Sequence, residues 1–135
     1  MFRRRVKMNI KNKTFATILR YLFGLFMLFI GLNGLFQFVG EPNFNEAGMA
    51  FLMALFNSGY IIPIISVINI LVAVSLLTNK YVALAMILLA PITLNYVFFH
   101  LFLDMAGVVA ALIPALLNIY FASLHWDQYK ALFEK

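Results

Sequence analysis

The chain contains no cysteine. Disulfides, thiolate metal sites, iron–sulfur ligation and CxxC redox chemistry are thereby excluded from it. Charge is also scarce. Only 11% of the 135 residues are Asp, Glu, Lys or Arg, where a soluble domain carries about 25%. Histidine occurs twice and tryptophan once. No internal repeat and no low-complexity tract breaks the pattern. Hydrophobic residues make up 64% of the chain. So little polar surface cannot cover a water-soluble globule, and a bilayer is the natural solvent. The net charge of +5 is laid out as a membrane address rather than as a nucleic-acid surface, so no nucleic-acid partner is expected.

Four apolar segments are long enough to cross about 30 Å of hydrocarbon, which takes roughly 20 helical residues. They lie near Tyr21–Val39, Tyr60–Leu77, Val82–Leu103 and Met105–Leu124. Helices are required because an unpaired backbone amide or carbonyl is costly in lipid. The links after the second and third spans are short, so those neighbours are expected to pack antiparallel. The predicted fold is an all-α four-transmembrane-helix antiparallel bundle forming one integral membrane domain.

Basic residues predict its direction. Arg3, Arg4, Arg5, Lys7, Lys11, Lys13 and Arg20 precede span one, Lys80 lies between spans two and three, and Lys130 and Lys135 follow span four. With four spans, all of these fall on one side, and Glu41, Glu46 and Asp104 fall on the other. The positive-inside rule then puts both termini in the cytoplasm. Span one is expected to be a retained anchor, because no small-x-small cleavage site precedes the Glu41-Pro42 loop. The RRRVK run is either a topology signal alone or an anionic-lipid or partner site.

Between spans one and two, residues Ala47–Phe56 are apolar but too short to span. Asn45 is placed to cap a short helix with Glu46 in its first turn. This predicts a short extracytoplasmic amphipathic helix on the outer leaflet or over the bundle mouth. Tyr21, Tyr81, Trp126 and Tyr129 are placed as a cytoplasmic aromatic belt.

Small and amide residues mark the inward faces. Gly107, Ala111, Ala115, Asn118 and Ala122 share one face of span four. Gly24, Gly31 and Gly34 share one of span one, and Ser66, Asn69 and Ala73 one of span two. Small residues let membrane helices approach closely. Pro63, Pro91 and Pro114 fall inside spans, where each removes a helical donor. Every span carries an asparagine: Asn33, Asn69, Asn95 and Asn118. Their depths below the outer helix ends come to about 8, 12, 12 and 20 Å. Two readings fit. The amides bond across helices as structural glue, or they line a pocket for a polar head group or a quinone ring.

The stretch NYVFFHLFLD (95–104) adds His100 and Asp104, four residues apart and so on one helix face, with Tyr96 one turn further in. An ionised Asp104 would favour and orient the imidazolium. A Tyr96–His100–Asp104 line can relay a proton or grip a ligand oxygen, or it can close the helix end and bind the loop. Asn95 is about 140° around the helix from His100. A bis-histidine haem is excluded, because His100 and His125 lie near opposite ends of their spans. No metal-ligand spacing and no nucleophile or phosphate-loop motif is present. His125, beside Trp126, reads as an interfacial residue.

The segments LRYLFGLFMLFIGLNGL (19–35), GY-x-x-P (59–63), LAPITLNYVFFHLFLDMAG (89–107) and WDQYKALF (126–133) together resemble the DoxX-like family of small four-helix membrane proteins. The resemblance runs from about Ile18 to Phe133, and the LAP…N…FHLFLD string is its most specific part. It implies a four-helix bundle in a bacterial cytoplasmic (inner) membrane. Its functional implications are an association with quinone-linked sulfur oxidation, partner proteins in oxidative-stress responses, or membrane-protein assembly. Asn69 and Asn118 stand where many relatives carry an acid, and Gly34 where a basic or polar residue often follows the Asn. If intramembrane charge carries a proton or redox step in those relatives, His100 and Asp104 are what remains of it here.

Three functions follow. The first is an accessory or binding subunit, with no cofactor of its own, that holds a lipid or quinone-like ligand, a membrane partner protein or a second copy. Its candidate polar face is His100, Asp104, Tyr96, Asn95, Asn33, Asn69 and Asn118. The second is a subunit of a quinone-linked oxidoreductase with His100 as proton donor or acceptor. The third is a membrane chaperone or assembly factor using the 47–56 segment and the basic N-terminus. A transporter is disfavoured, since four spans without repeats give little to alternate.

Overall fold

Residues 10–135 are described in this computed structural model, and the RRRVK run lies outside the described residues. They form α1 (Ile10–Phe36), α2 (Glu46–Asn57), α3 (Ile61–Thr78), α4 (Val82–Phe102), a 3₁₀ turn (Met105–Gly107), α5 (Val108–Leu124) and α6 (Trp126–Lys130). No strand occurs among the described residues. Four stretches are long and apolar enough to cross a membrane: Asn12–Phe36, Ile61–Thr78, Val82–Phe102 and Met105–Leu124.

The first helix is offset from the expected Tyr21–Val39. Residues before Tyr21 are already helical, because helix continuity does not end where hydropathy falls. It stops at Phe36, because Gln37 turns left-handed (φ 50°). Asn33 closes that end: its Oδ1 accepts from Val39 N at 3.0 Å, and its carbonyl accepts from Gln37 N at 2.8 Å. The fourth span opens with the 3₁₀ turn before regular helix begins at Val108.

Packing follows the small residues. The principal helix contacts are α1 with α3, α4 with α5 and α3 with α4. On α1, a Cβ at Gly24 would meet Leu77 and Leu76, and one at Gly31 would lie 2.7 Å from Ile70 Cγ1 and 3.0 Å from the Ser66 carbonyl. A Cβ at Gly34 would strike the Ser66 hydroxyl. Glycine at 31 and 34 is what lets the two backbones come together. Phe23 of α1 stacks on Phe121 of α5, with ring centroids 6.0 Å apart. The core fills with Phe23, Met27, Val72, Leu76, Met86, Leu89 and Phe121, all essentially inaccessible. The outer faces are as apolar as the core, with residues such as Leu25, Leu71 and Leu116 more than half exposed. Such a surface suits lipid contact.

The turn between α3 and α4 is tied down by polar groups. The Arg20 guanidinium donates to the Leu76 carbonyl in the last turn of α3 and lies 4.6 Å from the Tyr21 ring centroid. A cation is favoured there, where helical carbonyls lack partners. Asn79 takes the left-handed C-cap (φ 54°). Nearby, the Tyr129 hydroxyl of α6 donates to the Ala83 carbonyl of α4 at 2.6 Å. Tyr129 is therefore buried, at 8% exposure, and is not a member of the expected belt. Tyr21, Tyr81 and Trp126 are exposed. Burial pushes the Tyr129 phenol above its ordinary pKa.

Candidate functional site

The seven candidate residues fall into five separate environments. His100 and Asp104 form the first. α4 ends at Phe102, so Asp104 lies in the following turn rather than on the His100 helix face. His100 Nδ1 lies 3.0 Å from the backbone carbonyl of Asp104, while the nearest carboxylate oxygen is 3.7 Å away. A carbonyl only accepts, so Nδ1 carries the proton. The carboxylate turns to the loop, where Asp104 Oδ1 accepts from Asn45 N at 3.4 Å. The rings of Phe44 and Phe99 meet the imidazole edge-on at 5.8 and 5.0 Å, and a side chain at Gly107 would run into it. The imidazole thus fastens the end of α4 to the start of α5.

The same corner holds α2. Asn45 caps it as expected, with Oδ1 accepting from Gly48 N at 2.9 Å. Gly48 packs against Phe99, and Phe51 lies 5.9 Å from the Phe99 ring. Asn45 touches both α2 and Asp104, so the start of the short helix is tied to the turn that follows α4.

Tyr96 and Asn69 form the second environment. Asn69 Nδ2 donates to the Tyr96 hydroxyl at 3.1 Å, joining α3 to α4. No hydrogen bond joins Tyr96 to His100 among the described residues, so the Tyr–His–Asp line is not assembled. Asn69 is 1% exposed, yet its Oδ1 has no partner among the described residues. An acceptor held out of water without a donor is costly. The Tyr96 hydroxyl, while accepting from Asn69, keeps a proton to donate. The pair therefore offers a hydroxyl donor and an amide acceptor.

Asn118 is fully engaged. Its Nδ2 donates to the Met86 carbonyl at 3.1 Å and its Oδ1 accepts from Thr93 Oγ1 at 3.2 Å. Both partners belong to α4, next to the turn that Pro91 deprives of a donor. This is interhelical glue. Asn33 is the fourth case, since its side chain bonds to Val39 N and closes the end of its own helix. Asn95 is the fifth case: its side chain is exposed and bonds to no described residue. The structure does not gather the four amides into one layer.

Some polar anchors had weak signals in the sequence. Thr93 shares the buried face of Met86 and Leu89 at helical spacing, which is the signal that would have found it. Tyr129 follows an interfacial Trp and shows no comparable pattern. His125, expected at the interface, places Nδ1 2.8 Å from the Phe121 carbonyl and so closes the end of α5. No cluster of three metal-ligating side chains occurs among the described residues.

These features define a helical protein with four candidate transmembrane spans. No protein-family model, curated protein or solved structure matches the chain.

Proposed function

We propose that the protein is a DoxX-like membrane accessory subunit that acts by binding rather than by catalysis. Its ligand is amphipathic, a quinone-like ring or a lipid head, and it is met by Asn69 and Tyr96. The unpartnered Asn69 Oδ1 beside the Tyr96 hydroxyl carries this reading. A quinone carbonyl accepts from the tyrosine, and a quinol or glycerol hydroxyl donates to the amide. Tyr96 is only half-buried, which makes it the side from which a ligand approaches. His100, Asp104, Asn33 and Asn118 support the scaffold around this pair.

In this reading the bundle is antiparallel, lies in a bacterial cytoplasmic membrane and keeps both termini in the cytoplasm. The order of contacts supports the antiparallel part: Gly34 meets Ser66, Gly31 meets Ile70 and Gly24 meets Leu77. The one-sided distribution of basic residues supports the orientation. The family assignment rests on the LAP…N…FHLFLD string.

Organic extraction of the purified protein, followed by mass analysis, tests the binding role. A stoichiometric quinone or lipid is expected, retained by Asn118→Ala and lost in both Tyr96→Phe and Asn69→Leu. A ligand-free wild type, or a ligand indifferent to both substitutions, would contradict the proposal.

A further inference from the structure

Asn95 is the one polar side chain on an otherwise apolar outer stripe of α4. Leu84, Leu88, Pro91, Asn95, Phe98 and Phe102 recur at spacings of 4, 3, 4, 3 and 4, and all are exposed. Asn95 lies seven residues before the end of the helix at Phe102, about 10 Å inside it at 1.5 Å per residue. That depth is within the hydrocarbon of a bilayer. An amide there without a partner is strongly disfavoured, and this one bonds to no residue of its own chain that the structure describes. Asn118 and Asn69, on neighbouring helices, show the usual outcome, in which the amide finds a partner across a helix interface.

We infer that this stripe is a self-association seam, on which a second copy of the chain packs α4 against α4 with Asn95 opposite Asn95. Two copies inserted in the same direction meet through a two-fold axis along the membrane normal. Their α4 helices then run parallel, and each residue on the axis meets its own counterpart at the same depth. A carboxamide carries both donors and an acceptor, so it is complementary to itself. Another protein would need its own polar group at that depth, whereas a second copy supplies one by symmetry. The alternating spacing of 4 and 3 is that of helices crossing at a shallow left-handed angle, with side chains interlocking. A single amide in such a seam sets register and partner number.

The absence of cysteine from the chain makes the test direct. Single cysteines are introduced at Leu88 and Phe98 on the seam, and at Leu71 and Leu116 on exposed faces of α3 and α5. Each full-length variant is oxidised mildly in its own membrane. Covalent homodimers are expected from Leu88→Cys and Phe98→Cys and not from Leu71→Cys or Leu116→Cys. Dilution in lipid vesicles, read by energy transfer between labelled copies, then measures affinity. Asn95→Leu is expected to weaken association about threefold to tenfold, and Asn95→Gln to keep most of it. The Asn95 side chain bonds to no described residue of its own chain, so an unchanged circular-dichroism spectrum in Asn95→Leu separates this loss from unfolding. Equal cross-linking at all four sites, none at Leu88 and Phe98, products only with a different protein, or indifference to Asn95→Leu would each overturn the seam.

Discussion

Asn118 and Asn95 are the same side chain in neighbouring helices of one bundle, and their surroundings are opposite. Asn118 is 4% exposed, and its donor and acceptor are both engaged by α4. Asn95 faces outward with neither engaged by a described residue. In water the difference would matter little, because solvent would serve either amide. In a bilayer it separates a group that completes the fold from one that calls for a partner outside the chain. Asn69 stands between them, with its amide nitrogen bonded and its oxygen bare.

The comparison is broken most forcefully at Asn118. Asn118→Leu removes the bonds to Met86 and Thr93 and is expected to cost about 1–2 kcal/mol in reversible unfolding from lipid or detergent. A cost no larger than that of Asn95→Leu would erase the distinction. His100→Ala comes next, at about 1 kcal/mol. Its effect is local: faster amide exchange is expected in α2 and the Asn45 turn, with α1 and α3 unchanged, and uniform exchange would refute the fastening role.

Tyr129 sharpens the contrast with a polar group that lies outside the spans and is also engaged. Its folded-state pKa is raised by burial, so its stabilising contribution is complete below the ordinary tyrosine value of about 10. That contribution is lost as pH climbs through the raised value. The docking of α6, followed by Trp126 fluorescence, should therefore loosen in that alkaline range and not below it. Tyr129→Phe should remove the pH response, and a response surviving in that variant would assign it elsewhere. The smallest effect is expected from Asn95→Leu, under about 0.5 kcal/mol on the unfolding of a single chain. A larger loss would mean that Asn95 supports its own bundle.

Much of this architecture was legible in sequence. Hydropathy marked four spans, and five of their eight ends agree with the helices to within one residue: Tyr60 beside Ile61, Leu77 beside Thr78, Val82 at Val82, Leu103 beside Phe102, and Leu124 at Leu124. The glycines of α1 and the Ser66–Asn69–Ala73 face announced the inward sides, and Asn45 announced the cap of α2. The start of α1 was hidden because Lys13 and Arg20 lower hydropathy without breaking a helix. The roles of the amides were hidden for another reason. Asn33, Asn69, Asn95 and Asn118 have comparable local sequence settings, and only the rotation of each helix decides which amide meets a neighbour. His100 and Asp104 share helical spacing, but the helix ends between them, and the carbonyl replaces the carboxylate as the imidazole's partner.

The division of labour among the amides is tested most directly by native mass spectrometry of wild type, Asn69→Leu and Asn95→Leu, each released gently from its own membrane. The wild type should fly as a dimer carrying a small amphipathic ligand, Asn69→Leu as a dimer without it, and Asn95→Leu with a larger monomer fraction that retains it. A wild type that flies as a bare monomer, or two variants indistinguishable from it, would contradict the assignment of ligand and partner to these two side chains.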